Sequence, residues 1–338
     1  MSRKSLKNPP TLIKNLGYLG MESSQKSHQL FFIIGPTASG KNAVARAIAP
    51  RLDAEIISLD SMKVYRHLDI GTAKPVLDSS SPIKYHLIDL VEPWESFNLA
   101  RFIQECEKAI QEITSRNKYP LLVVGTPLYL KGLLEGVFKG PGRDESIRTK
   151  LKLMAQGQGT PFLYDELKKI DPVKASQLHP NDLRRISRAL EVYLLTGRPI
   201  SALQTQSGTK RTDYQTVLVG LRREPADLAQ RIDQRVAKMF KSGLIEETRQ
   251  LLNSRPSPTP EVLQAIGYQE ITRYLKGELI LEETKKLVKQ RTRHLVKHQM
   301  TWFRRFPEIQ WLEIRPVESP QEIAVRMLEI FKASNKMQ

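Results

Sequence analysis

LFFIIGPTASGKN, residues 30–42, joins an apolar run to a glycine-containing loop and then to the start of a helix-forming segment. A short run without alternating polar residues is typical of a strand buried on both faces of a parallel sheet. Gly35 to Lys41 has the spacing GxxxxGK, whose glycines let backbone N–H groups turn toward phosphate oxygens. Strand, loop and helix in this order predict a P-loop that binds a diphosphate or a triphosphate.

The whole loop is predicted to contact the phosphates, with Lys41 as a point charge. The predicted diphosphate-binding residues are Gly35, Pro36, Thr37, Ala38, Ser39, Gly40, Lys41 and Asn42. A hydroxyl residue normally follows the lysine and binds Mg²⁺, but this chain has Asn42 there. An amide oxygen can bind a hard cation, so Asn42 is the one predicted metal ligand, for an Mg²⁺ held weakly or through water.

The sequence around the loop alternates between strand-like and helix-like segments. Predicted strands cover 30–34, 55–59, 84–90, 121–124, 216–221 and 309–313. Predicted helices cover 42–52, 98–115, a stretch ending at 134, one or two within 225–253, and 282–306. Strands that alternate with helices imply a parallel sheet wrapped by helices. The predicted fold class is therefore α/β, a P-loop NTPase-like sheet with a small all-helical insertion domain.

Five segments are predicted along the chain. Residues 1–28 form a disordered basic leader, and Met21 is an alternative start. Residues 29–140 are the first part of the core, 141–208 the helical insertion, and 209–318 the second part with its basic helix. Residues 319–338 are a C-terminal helix or tail.

The charge balance points to a polyanionic partner. The 338 residues contain 53 Lys and Arg against 36 Asp and Glu, a formal net charge of +17. Such a surplus favours nucleic acid, with a basic solvated surface as the alternative. Cys106 is the only cysteine, so an intrachain disulfide framework and a cysteine-based zinc site are excluded. No apolar run is long enough for a membrane span, and a cytoplasmic monomer is expected.

Further motifs carry a family resemblance. They are SLDSMKVYR at 58–66, DIGTAKP at 69–75, HPND at 179–182 with Arg185 and Arg188, RIDQR at 231–235, Gly267-Tyr268, and Thr292-Arg293 with Lys297, Gln299, Thr301, Trp302 and Arg304. Together with GPTASGK, these ordered motifs resemble the bacterial form of the tRNA dimethylallyltransferase (isopentenyltransferase) family over roughly residues 30–312. The resemblance implies transfer of a dimethylallyl group from dimethylallyl diphosphate to the exocyclic amine of the adenosine immediately 3′ of the anticodon in tRNA.

The resemblance also implies the catalytic residues Asp60, Thr126 and Arg235. Asp60 matches the family base, which accepts the proton of the adenine amine. Its structural alternative is a helix N-cap. Thr126 matches the threonine that holds the reacting groups, although Val124 and Pro127 stand where the family has glycine. Arg235 matches the arginine that reaches the diphosphate, with a solvated helix face as its alternative.

An anticodon stem-loop is the predicted RNA partner, clamped between the insertion and the basic helix. The predicted RNA-binding residues are Asp60, Ser61, Met62, Lys63, Arg148, Arg184, Arg185, Arg188, Gly267, Tyr268, Arg293 and Lys297. Residues 289–307 contain six Lys or Arg and no acid, which favours a stripe that contacts phosphates. The same helix is predicted to bury Val288, Leu295 and Trp302, and the pair His294 and His298 is expected to contact solvent or phosphate rather than zinc.

Three other functions remain open from the sequence. A P-loop kinase would use Asp89, at the end of the predicted third strand, as its Walker B carboxylate. A related enzyme would alkylate free adenine nucleotides, but the basic helix and the insertion favour tRNA. A decayed, RNA-binding relative would explain Asn42, Val124 and Pro127, and the intact Lys41 and Asp60 argue against it.

Overall fold

The computed structural model describes residues 28–76, 82–138, 140–204 and 211–336. The predicted basic leader and the alternative start at Met21 lie outside the described residues, except for position 28. No helix in the described part of the chain is long and apolar enough to cross a membrane.

The described strands form one parallel sheet. They are β1 (His28–Ile34), β2 (Ala54–Leu59), β3 (Tyr85–His86), β4 (Tyr119–Val124), β5 (Tyr214–Arg223) and β6 (Gln310–Ile314). Their order is β3-β2-β4-β1-β5-β6, and all pairs are parallel. The predicted α/β fold is thus confirmed. Because β1 lies between β4 and β5, the loop that follows it meets the ends of both neighbours: Ile34 is in register with Val124 and Gly220.

Helices cover both faces of this sheet. They are α1 (Lys41–Leu52), α2 (Leu99–Ser115), α3 (Pro127–Glu135), α4 (Glu145–Gln158), α5 (Thr160–Ile170), α6 (Pro172–Ala175), α7 (Leu183–Thr196), α8 (Ile200–Leu203), α9 (Pro225–Lys241), α10 (Leu244–Asn253), α11 (Pro260–Leu263), α12 (Tyr268–Leu275), α13 (Leu281–Phe303) and α14 (Pro320–Lys336). On one face α1 and α14 enclose a core in which the rings of Phe31 and Phe331 lie 4.7 Å apart. On the other face α2, α3 and α13 bury Phe102, Leu130 and Phe303.

Two details of the predicted elements are wrong. The third strand is Tyr85–His86 rather than 84–90, because Leu87 and Asp89 have positive φ angles of 61° and 56°, which end an extended strand. On α13 the predicted apolar side included Leu295, which is exposed. The buried stripe consists instead of Thr284, Val288, Thr292, Gln299 and Phe303.

The described part of 141–208 folds as helices α4 to α8 around a core of its own. Leu163, Leu167 and Ile186 are almost fully buried there. Glu191 of α7 is also buried, at 0% exposure, and its carboxylate accepts hydrogen bonds from Arg148 and Arg188. Those arginines hold the pKa of Glu191 down at about 2 although its burial acts in the opposite direction. This paired cluster joins α4 to α7.

A candidate active site at the carboxyl edge of the sheet

A cavity of about 670 Å³ lies where the strands end. Lys41 comes to it from the loop after β1, Asp60 from the end of β2 and Thr126 from the end of β4. Arg235 reaches it from α9. Ligands of open α/β sheets bind outside the carboxyl ends of the strands, because loops from neighbouring strands converge there. The residues predicted to be catalytic therefore share one cavity.

Two arginines donate hydrogen bonds to backbone carbonyl groups of the predicted phosphate loop. Arg223, from the end of β5, donates to the Ser39 carbonyl at 2.9 Å, and Arg231 of α9 donates to the Ala38 carbonyl at 2.8 Å. Arg223 is itself paired with Asp227 at 2.9 Å. The loop then enters α1 through Gly40, whose φ of 98° favours glycine. Two distant elements thus fix the backbone that would receive a diphosphate.

Asp60 and Thr126 are linked through the turn after β2. One carboxylate oxygen of Asp60 accepts the Met62 N–H at 3.0 Å, and the Thr126 hydroxyl accepts the Ser61 N–H at 3.0 Å. The residues after Asp60 form turns rather than an α-helix, so its cap-like bond does not begin a helix. A Cβ added at Gly125 would lie 2.9 Å from the second Asp60 oxygen, so a glycine leaves room for that carboxylate.

Pro127 is compatible with this arrangement. It occupies the first turn of α3, where a proline costs no hydrogen bond, and Thr126 stands just before it. Val124 is the fully buried last residue of β4. The two departures from the family pattern therefore leave Thr126 bonded to Ser61 at the cavity.

Positive charge collects around Asp60. Burial, together with the neighbouring Lys63 ammonium and in opposition to Asp60, lowers the pKa of Lys41 to about 7. Burial likewise lowers the pKa of Lys63, which is 6% exposed, and that of Arg235. Arg235 does not lie on a solvated face, since it lines the cavity and donates to the Thr72 carbonyl at 3.3 Å. One carboxylate among these cations favours an anionic ligand.

A carboxylate outside the cavity fixes the loop that contacts Arg235. Glu247 of α10 accepts the N–H groups of Asp69, Ile70 and Gly71 at 2.7–3.0 Å. It also accepts the hydroxyl of Tyr268 at 2.7 Å. Sequence reasoning missed Glu247, because its three backbone partners lie 176 to 178 positions away and no motif contains it.

Gln299 of α13 belongs to the family motif, but no role at the site was predicted for it. Its side-chain oxygen accepts the Thr37 N–H at 2.9 Å, and its side-chain nitrogen donates to the Gly125 carbonyl at 2.6 Å. The available signal was its position: Gln299 lies in register with Thr284, Val288 and Thr292 on the buried side of α13. A polar residue on that side requires partners inside the protein.

Comparisons with known proteins decide the family. The family model described as IPP transferase matches residues 63–306, and the model described as isopentenyl transferase matches residues 28–83. The chain belongs to the tRNA dimethylallyltransferase family.

Relatives match over nearly the whole length of the chain. The tRNA dimethylallyltransferase 2 of Geotalea uraniireducens is 44% identical, over 92% of this chain and 100% of the relative. The tRNA dimethylallyltransferase of Geobacter sulfurreducens is 42% identical, over 87% of this chain and 94% of the relative.

Solved structures agree with the fold. The tRNA isopentenylpyrophosphate transferase of Bacillus halodurans is 37% identical with a TM-score of 0.65, over 92% of this chain and 99% of that chain. A eukaryotic dimethylallyltransferase, described as acting on tRNA, is 31% identical with a TM-score of 0.71, over 85% of this chain and 74% of that chain.

In this member of the tRNA dimethylallyltransferase family, the predicted RNA-binding residues fall into two groups. Asp60, Ser61, Met62, Lys63, Gly267 and Tyr268 line the cavity. The other group, on the insertion and α13, does not. Its guanidinium groups are largely engaged: Arg148 and Arg188 with Glu191, Arg185 with Asp182 at 2.6 Å, and Arg293 with Asp233 at 2.6 Å. Arg184 and Lys297 are exposed. RNA contact by either group remains a prediction.

The oxygen donors near the phosphate loop suit an Mg²⁺ ion that is bound mainly by the phosphates of the substrate. Asn42 and Asp60 both line the cavity. Among the described residues, no group of three or more His, Cys, Asp or Glu could hold a metal ion. Mg²⁺ commonly binds one or two protein oxygens together with substrate phosphates. The Asn42 amide oxygen fits that arrangement, and an all-protein cage is not formed by the described residues.

Asp89 does not serve the P-loop in the way a kinase would require. It accepts from the Lys74 ammonium at 2.5 Å and is not among the cavity residues. It follows β3, which β2 and β4 separate from β1. The family assignment and this geometry together set the kinase alternative aside.

Proposed function

We propose that this chain transfers a dimethylallyl group from dimethylallyl diphosphate to the exocyclic amine of the adenosine immediately 3′ of the anticodon in tRNA. Membership of the tRNA dimethylallyltransferase family supports the transfer to tRNA. The observation that carries the proposal in the molecule is the meeting of Asp60, Thr126 and the cations Lys41, Lys63 and Arg235 in one cavity. We further propose that the enzyme works in the cytoplasm as a monomer.

The donor end of the reaction belongs to the P-loop. The bond between the allylic carbon and the diphosphate oxygen breaks, so negative charge grows on the leaving group. Lys41, Arg235 and the loop N–H groups would stabilise that charge in a site where burial strengthens electrostatic attraction. When bound, Mg²⁺ would neutralise part of the diphosphate charge, with the Asn42 amide oxygen as the protein ligand available to it.

The apolar wall of the cavity suits the five-carbon group. It is formed in part by Met62, Val123, Val236, Met239, Ile266, Val288 and Leu295. An allylic carbon that loses its leaving group is easily captured by water. Apolar side chains exclude water around it, which leaves the adenine nitrogen as the nucleophile.

Asp60 and Thr126 would act on the acceptor adenosine. The adenine amine is a poor nucleophile, since its lone pair is delocalised into the ring. As the new nitrogen–carbon bond forms, the amine proton passes to Asp60. The Met62 N–H occupies one Asp60 oxygen, and the other faces Gly125 and remains for this proton. The target base must leave the anticodon stack to reach this carboxylate.

A labelling assay tests the proposal. Purified protein, Mg²⁺ and radiolabelled dimethylallyl diphosphate are mixed with an anticodon stem-loop that carries consecutive adenosines. We expect label to enter the RNA with the wild type and to fall by at least about 10²-fold with Asp60→Ala and Asp60→Asn, because both variants remove the base. Asp60→Asn keeps the shape of the side chain, so it separates the loss of the base from a distorted turn.

One outcome would contradict the proposal and favour a decayed site. In that case the wild type would bind the stem-loop tightly and transfer no label at any Mg²⁺ concentration. A truncated stem-loop that lacks the adenosine 3′ of the anticodon is the matched RNA control, and it should accept no label from the active enzyme.

A further inference from the structure

Gln299 joins the two halves of the cavity. The Thr37 N–H of the phosphate loop donates to its side-chain oxygen at 2.9 Å, and its side-chain nitrogen donates to the Gly125 carbonyl at 2.6 Å. An N–H group can only donate and a carbonyl can only accept, so both partners fix the orientation of the carboxamide. The side chain is 7% exposed, which makes either bond costly to lose.

The hydrogen bonds of Gln299 extend to the turn that carries the predicted base, Asp60. Gly125 precedes Thr126, whose hydroxyl accepts the Ser61 N–H next to Asp60. The N–H groups of Gly125 and Thr126 donate to the Leu59 carbonyl at 2.9 and 3.0 Å. A continuous series of hydrogen bonds therefore runs from the phosphate loop through Gln299 to the turn that carries Asp60.

We propose that Gln299 is a positioning residue, whose carboxamide sets the separation between the diphosphate end and the Asp60 end of the cavity and ties both ends to α13. This inference rests on the proposed transfer reaction, because that reaction requires the allylic carbon and the adenine nitrogen to be aligned. A shift of about 1 Å between reacting groups can lower a rate by about 10²-fold.

No other natural side chain at this position would make both bonds with the same reach. Gln299→Glu keeps an oxygen for the Thr37 N–H but places a carboxylate against the Gly125 carbonyl. Gln299→Met keeps the length of the side chain and loses both bonds. Gln111 lies on α2 and is exposed, outside the cavity and the predicted RNA-binding residues, so Gln111→Glu is the control for an added charge.

The experiment separates positioning from binding. For Gln299→Met we expect kcat to fall by about 10–100-fold, while the Kd values for inorganic pyrophosphate and for the stem-loop change by less than about threefold. Gln299→Glu should lose a similar factor in kcat and should also bind pyrophosphate more weakly, because its carboxylate lies beside the phosphate loop. Gln111→Glu should match the wild type in all three quantities. As the pH is lowered, the new carboxyl of Gln299→Glu gains a proton to donate, so its kcat relative to wild type should rise, whereas that of Gln299→Met should not.

Hydrogen exchange gives a readout that does not depend on activity. Gln299→Met should raise the exchange rates of the peptides that cover 35–40 and 125–127 together, and Gln111→Glu should raise neither. A kcat within about threefold of wild type in both Gln299 variants would overturn the proposal. Exchange rates of both peptides that are the same in Gln299→Met and in the wild type would also overturn it. If the wild type itself transferred no label, the proposed function would fail, and the exchange rates would still decide the role of Gln299.

Discussion

The half-buried cations of the insertion and the cations of the cavity differ in the negative charge that opposes them. In the insertion, Arg148 and Arg188 share the fully buried Glu191 at 2.6–3.0 Å. In the cavity, Lys41, Lys63 and Arg235 surround the single carboxylate of Asp60, and burial lowers the pKa of each of the three.

The comparison separates charge that stabilises the fold from charge that is kept for a ligand. A buried ion pair with several hydrogen bonds offsets the cost of removing its charges from water. An excess of buried cations has no such compensation until an anion arrives, so it lowers stability in the free protein and raises affinity for the anion. Removing one charge in the insertion should therefore lower stability and leave activity unchanged. Removing one cation in the cavity should lower activity without lowering stability.

The largest effect is expected for Lys41→Met. Removing the phosphate-loop ammonium should lower kcat/KM by about 10²–10³-fold, because this cation stabilises the negative charge that grows on the leaving diphosphate. The melting temperature should stay the same or rise, since a buried, repelled cation disappears. Steady-state kinetics and a thermal melt check both statements. A melting temperature that falls by several degrees would mean that Lys41 belongs with the structural cations instead.

Glu191→Gln should do the reverse. It leaves two half-buried arginines without their carboxylate, which we expect to lower the free energy of unfolding by about 2–3 kcal/mol. The kcat per folded molecule should stay within about threefold of wild type. Urea denaturation followed by circular dichroism measures the first quantity. Glu166→Gln is the matched control in the same region, because its pair with Lys169 is at the surface and should contribute less than about 1 kcal/mol.

The contribution of Glu191 should also depend on pH. Its pKa is lowered from 4.5 to about 2 in the folded protein. A carboxylate with a lowered pKa stabilises the fold fully above the unfolded value, and this stabilisation is lost as the pH falls from 4.5 toward 2. The difference in unfolding free energy between wild type and Glu191→Gln should therefore shrink across that interval. A constant difference would contradict the ion-pair interpretation.

The smallest effect is expected for Lys63→Gln. Its ammonium lines the cavity among other cations, so its loss should weaken the binding of inorganic pyrophosphate by about tenfold and leave Arg235 and Lys41 in place. Isothermal titration calorimetry measures this Kd. Lys150→Gln, at an exposed position of α4, should not change it. If Lys63→Gln weakened the stem-loop and left pyrophosphate binding unchanged, Lys63 would be an RNA contact, as first predicted from its motif.

Local patterns were sufficient for the sheet and for the centre of the site. The apolar run 30–34 with GxxxxGK predicted β1, the loop and α1, because strand, loop and helix follow one another directly in the sequence. Asp60 and Thr126 each follow a predicted strand, and parallel strands bring such residues to one edge. The third strand was overestimated, since positive φ angles at Leu87 and Asp89 have no clear signature in residue type.

Tertiary partners could not be predicted from the sequence alone. Nothing in the sequence connects Arg148 and Arg188 to Glu191, and their predicted RNA contacts stay a prediction. The apolar pattern of α13 placed Leu295 inside, whereas the buried position belongs to Gln299, whose amide is bonded to two distant loops. Hydrophobicity cannot identify a polar side chain that is buried because its hydrogen bonds are satisfied.

The position of β1 in the middle of the sheet has a consequence for how the protein is made. As the chain leaves the ribosome, α4 to α8 can gather their core from neighbouring segments, whereas β1 must wait for β5. Thr37 must wait longer, for a glutamine 262 positions downstream. The phosphate loop therefore acquires its last support only when synthesis is nearly complete, so a nascent fragment contains a finished insertion and no finished donor site.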